Sequence, residues 1–145
     1  MATCNHIFPG FRRTFVGVGS LYVLLGGSIL GRGVRESMAP FGVPEAALAS
    51  PYFADGIWWV YTHTVVLGLM MIVIGLLAEG ARLKLWVVRI LLGAHLYYGY
   101  LDLRSSDSPL GTALYKGPAS LGPVIFVAIV VLLLVHLALC PPSRE

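Results

Sequence analysis

Residues 57–78 read IWWVYTHTVVLGLMMIVIGLLA and contain no Asp, Glu, Lys or Arg. At about 1.5 Å per residue such a run is long enough, as a helix, to cross the roughly 30 Å hydrocarbon layer of a bilayer. Three further apolar runs, about 14–31, 85–101 and 121–140, have comparable length and little charge. The pattern predicts an all-α integral membrane protein in which residues 1–145 form one domain, a four-helix transmembrane bundle. An even number of spans puts the N- and C-termini on the same side, and the connections have room only for short interfacial helices.

Composition agrees with this reading. Of 145 residues, 57% are apolar and 12% charged, with a mean hydropathy of +0.82, whereas soluble domains carry about a quarter charged residues. The longest connection, 32–56, is too short to enclose a core of its own. The net charge of +3 does not point to nucleic acid, because the basic residues stand in ones and twos at the ends of apolar runs, where they orient helices in a bilayer. Arg12 and Arg13 precede the first run, but Gly31-Arg32-Gly33 is a poor cleavage site, so that run is read as a retained span. Cys4 and Cys140 fall on the same side and could meet; the expected state is two unpaired thiols near the chain ends.

The side holding the termini, side A, collects six basic residues (Arg12, Arg13, Arg82, Lys84, Arg89, Arg144), and the opposite side B collects four (Arg32, Arg35, Arg104, Lys116). Positive charge favours the cytoplasmic face. The termini are therefore expected in the cytoplasm, or in the matrix or stroma of an organelle. Only residues 80–84 join spans two and three, which predicts a tight antiparallel hairpin. On side B, Asp55 has the character of an N-cap for span two, Pro44 precedes a short helix at Glu45, and 108–118 has the start and stop signals of another. Trp58, Trp59, Tyr61, Tyr97, Tyr98, Tyr100 and Tyr115 form an aromatic belt near that side.

Small residues suggest packing faces. Gly17, Ser20, Leu24, Gly27, Ser28 and Gly31 fall near one stripe of span one, and Gly27 to Gly31 has the GxxxG spacing that lets helices approach closely in membranes. Gly68 and Gly75 lie with Thr64 and Glu79 on one face of span two. Gly17, Gly27, Gly31, Gly68 and Gly75 are thus the expected packing positions, while Gly19 and Gly26 lie on the opposite side of span one.

His63, His95, His136 and Asp102 are nearly all the ionisable chemistry of the runs, since Arg89 can snorkel back to side A. His63 and Asp102 are predicted at equal depth near side B, where an imidazole–carboxylate pair could form, and His95, Tyr98 and Asp102 follow one stripe of span three. His63 also suits the headgroup layer beside Trp59, Asp102 a solvated interface or Arg104, and His136 the opposite interface. His95 is the deepest. A buried imidazole requires a partner, here a backbone carbonyl, Tyr98 or a ligand. His95, His63, Tyr98 and Asp102 are accordingly the candidate cofactor-binding residues. The three histidines do not match in depth as a bis-histidine haem site requires; single-histidine ligation of haem or chlorophyll through His95 stays open, no cofactor is required, and bound lipid is expected. No clustered metal spacing, Walker loop, GxSxG or dinucleotide fingerprint is present.

Three readings of function remain. The foremost is a non-catalytic accessory or assembly subunit of a larger membrane complex, an energy-transducing one among the options, with other membrane subunits and the lipid bilayer as partners. The second is a small membrane redox or lipophilic-ligand protein with a His/Tyr/Asp pocket near side B. The third is a proton-coupled carrier or channel subunit, which lacks the broken helices usual in such sites.

Overall fold

The computed structural model describes residues 9–106 and 121–140. Among these there are helices and no strands. Four long helices dominate: α1 (Phe11–Arg32), α4 (Pro51–Leu77), α5 (Ala81–Ser106) and α6 (Leu121–Leu139). Between α1 and α4 lie α2 (Val34–Met38), a 3₁₀ turn (Ala39–Phe41) and α3 (Glu45–Leu48).

Three of the long helices, α1, α4 and α6, are long and apolar enough to cross a membrane. The four-span expectation is therefore met by composition in three helices. At 26 residues α5 has the length, but Arg89, His95 and the tyrosines 97, 98 and 100 dilute its apolar character.

Helix starts differ in one respect from the sequence pattern. α4 begins at Pro51, a turn before the expected Asp55 cap, with Ser50 in extended conformation as N-cap. Proline's fixed φ and missing N–H suit the first helical position, so Pro51 outcompetes Asp55, which lies inside the helix. The short helix after Pro44 forms as expected, whereas the helix expected within 108–118 lies outside the described residues.

α1 and α4 run antiparallel and form the tightest pair. Their backbones nearly touch: a Cβ placed on Gly19 would lie 2.6 Å from the Gly68 carbonyl oxygen, and one on Gly68 would lie 2.6 Å from that of Gly19. Gly26 sits equally close to Tyr61 and Val65, and Gly75 to Phe15 and Val16. Both glycine pairs, 19/26 and 68/75, are spaced by seven residues, so each stays on one seam. Gly68 and Gly75 are two of the expected packing positions. Gly17, Gly27 and Gly31 are not in the seam; none would bring a Cβ within 4 Å of anything. α1 has small residues on two opposite sides, and the side chosen is the one where Tyr22, Val18 and Phe15 turn inward beside the glycines.

A second close pair is α5 with α6. α4 and α5 are joined by only residues 78–80, with Gly80 at φ 78°, yet they are not among the closely packed helix pairs. The expected hairpin is thus a tight turn without a tight seam, because neither facing surface offers glycine gaps like those between α1 and α4. α5 runs parallel to α1 in constant register: Lys84 lies over the Phe11 ring at 5.6 Å, and His95 meets Tyr22, each pair 73 residues apart. The four long helices share one core, built from Phe11, Phe15, Val18 and Tyr22 of α1, Met71 of α4, Val88 of α5, and Val130, Leu134 and Leu137 of α6. At the far end of α1, Ile29, Val34 and Met38 form a second cluster with Phe41, Leu48 and Phe53. Gly33, at φ 89°, makes the bend that folds α2 back there. The Arg35–Glu45 ion pair on this cap is exposed and adds little.

Adding a methyl at the seam forces backbones apart, so Gly68→Ala should destabilise the fold by about 1–3 kcal/mol. Gly27→Ala, with open space around it, should be neutral or raise stability by up to about 1 kcal/mol. Thermal unfolding of the detergent-solubilised protein measures both, and equal melting temperatures would contradict the seam.

Candidate functional site: a buried tyrosine–histidine pair

His95 is 7% exposed and Tyr22 9%. Their side chains meet inside the bundle, with Tyr22 Oη 2.6 Å from His95 Nε2. The other ring nitrogen, Nδ1, lies 2.7 Å from the Leu91 carbonyl oxygen one turn back on α5. That carbonyl can only accept, so Nδ1 carries the proton. Nε2 of the neutral ring is then an acceptor, and the Tyr22 hydroxyl donates to it. Every hydrogen-bonding atom of the imidazole is engaged within the chain.

Three helices hold this pair. α5 supplies His95 and its carbonyl partner, and α1 supplies Tyr22. From α6, Phe126 packs edge-on against the Tyr22 ring, with centroids 5.2 Å apart and planes at 86°, an arrangement aromatic pairs favour. The glycine seam reaches the site from the fourth helix: a Cβ on Gly68 would lie 3.0 Å from Tyr22 Cβ and 2.9 Å from Val23 Cγ2. Gly68 thus makes room for the segment of α1 that carries the tyrosine.

Of the other candidate residues, His63 and Tyr98 are not gathered here. His63 is exposed on the outside of α4, donating from Nδ1 to the Trp59 carbonyl oxygen at 2.7 Å. Its ring stacks on Trp59, with centroids 5.4 Å apart, the aromatic-belt placement weighed for it above. Tyr98 is 62% exposed and lies beside Tyr97. The expected His95–Tyr98–Asp102 ladder therefore breaks at its second rung, because α5 buries Val88 and His95 while Tyr98 turns outward. Asp102 belongs to α5, but its side chain lies outside the described residues, as does any pairing with His63. His136 is half-buried in the last turn of α6. Cys140 is disulfide-bonded, contrary to the unpaired thiol expected; Cys4, the other cysteine, lies outside the described residues.

Tyr22 is the residue that sequence reasoning missed. The signal was available: Tyr22 and His95 lie about equally far into the first and third runs, which enter from the same side. Among the described residues no three His, Cys, Asp or Glu side chains gather as a metal site would need. A ligand on His95 would have to displace Tyr22 or the Leu91 carbonyl.

No protein-family model, curated protein or solved structure matches this chain.

Tyr22→Phe leaves Nε2 buried without a donor and should cost about 1–3 kcal/mol. His95→Leu strands the tyrosine hydroxyl in turn. The double variant should cost less than the sum, with a coupling near the upper values for hydrogen bonds inside membranes, on the order of 1–2 kcal/mol. Strict additivity in unfolding experiments would show that the pair is not formed. Nitrogen NMR of labelled His95 should show the proton on Nδ1.

Proposed function

We propose that the protein is a four-span, non-catalytic accessory or assembly subunit of a larger membrane complex. One observation carries this reading: the buried imidazole of His95 is satisfied on both ring nitrogens by its own fold. An imidazole so engaged is a structural lock between α1 and α5. Chemistry of the kind expected from a redox or ligand site has no free atom there, and the surface becomes the working part.

The four-span reading draws on register. That α5 runs parallel to α1 at constant offset and packs into the same core supports reading it as a span of the same depth as α1. The diluting side chains have local solutions, since the Arg89 guanidinium lies over the Trp86 ring at 5.7 Å and His95 is paired. Both are accommodations that let polar groups reside in a membrane helix.

The docking face is assigned to the outer side of α1. Gly27 and Gly31 are exposed there beside Leu24, which is 68% exposed, and no part of the described chain approaches them. Small residues at this spacing admit another helix at close range. Orientation follows the six-to-four excess of basic residues, which puts the termini on the cytoplasmic, matrix or stromal side. The Cys140 disulfide opposes that assignment, since such compartments keep thiols reduced.

Blue-native electrophoresis of native membranes should show the protein in a complex well above its own mass of 15.6 kDa. Gly27→Leu combined with Gly31→Leu should release it from that complex while its melting temperature stays unchanged. Migration of the wild type as a free monomer would refute the subunit reading, and a visible absorbance band in the purified protein would favour a cofactor-binding one. Reporter fusions at the C-terminus should report the cytoplasmic side; a periplasmic or luminal signal would reverse the orientation.

A further inference from the structure

We infer that the side-A end of the α1–α4 pair is a binding site for an acidic phospholipid. An open groove of about 570 Å³ runs there, lined by Arg12, Arg13, Val16, Gly17 and Leu76. Its two ends differ in chemistry. Arg12 and Arg13 belong to the first turn of α1, and Val16 and Gly17 to the next, about 5.4 Å deeper along the helix. Leu76 supplies the opposite apolar wall from the last turns of α4. Gly17 has nothing within 4 Å of where its Cβ would stand, so the floor of the groove is open.

A phosphodiester with an acyl chain matches this order of groups. The arginines stand at the level where a membrane helix leaves the hydrocarbon, and a guanidinium offers a planar fork of donors that fits phosphate oxygens. The chain would then lie along Val16, Gly17 and Leu76. Among the described residues the one ion pair is Arg35–Glu45 at the other end, and Glu79, the described acidic residue of this end, pairs with neither arginine. Free phosphate would use the arginines but leave the apolar floor unfilled, whereas a zwitterionic lipid would fill the floor and bring its own cation against the arginines. The acidic lipid alone satisfies both halves. This site is separate from the Gly27–Gly31 face and holds whether or not that face docks a partner.

Native mass spectrometry of the full-length protein, purified in neutral detergent, tests the site. Phosphatidylglycerol and phosphatidylcholine of identical acyl chains are the probes. The wild type should retain phosphatidylglycerol at least about tenfold more strongly, and Arg12→Gln with Arg13→Gln should weaken that binding on the order of 20-fold. Gly17→Leu, which fills the floor and keeps both arginines, should also lose the adduct, with an unchanged melting temperature showing that the fold survives. Arg104→Gln, at the far end of α5, should have no effect. Equal retention of the two lipids, undiminished binding in the double arginine variant, or displacement of phosphatidylglycerol by millimolar inorganic phosphate would each overturn the inference.

Discussion

The backbones of α1 and α4 come together at Gly19 and Gly68, close enough that neither position has room for a methyl group. In a bilayer there is little hydrophobic gain in moving an apolar side chain from lipid to protein, so close packing carries much of the attraction between helices. The seam is the one place in the described chain where two long helices approach so closely along several turns. Its position fixes the rotation of α1 about its own axis, and that rotation directs Phe15, Val18 and Tyr22 into the common core. The remaining polar architecture follows from this choice.

Once α1 is so turned, Tyr22 faces α5 at the depth of His95. A neutral imidazole in hydrocarbon needs a donor and an acceptor, and unmet demand there costs free energy. The Leu91 carbonyl and the Tyr22 hydroxyl meet it without water or ligand. The hydrogen bond also sets the register of α1 against α5, something a surface of Leu and Val leaves free to slide. A polar residue that looks like a functional site in the sequence thus serves to specify the packing of the bundle.

With the interior satisfied, the surface carries the features that packing does not use. Gly17, Gly27 and Gly31 open outward, and their neighbours differ along α1. Near its start the surroundings are cationic and grooved, through Arg12 and Arg13; around Gly27 they include the exposed Leu24. On the two proposals made for this surface, the same small residue would serve a lipid at one level and a helix partner at another, according to what stands next to it.

The sequence by itself determined that the chain is helical and apolar enough to enter a membrane, where its long helices lie to within two turns, and that His95 requires a partner. These are properties of single segments: run length, hydropathy and the burial of one imidazole can be judged without knowing the neighbours. It also marked Gly68 and Gly75, because span two has glycines on one face only. Tertiary structure alone decided that α1 uses Gly19 and Gly26 instead of Gly17, Gly27 and Gly31, that α4 pairs with α1 more tightly than with the adjacent α5, and that Tyr22 is the partner of His95. Each of these is a relation between two helices. A helix with small residues on opposite sides can pack either way, and the steric fit of the facing surface, which helical spacing does not encode, selects between them.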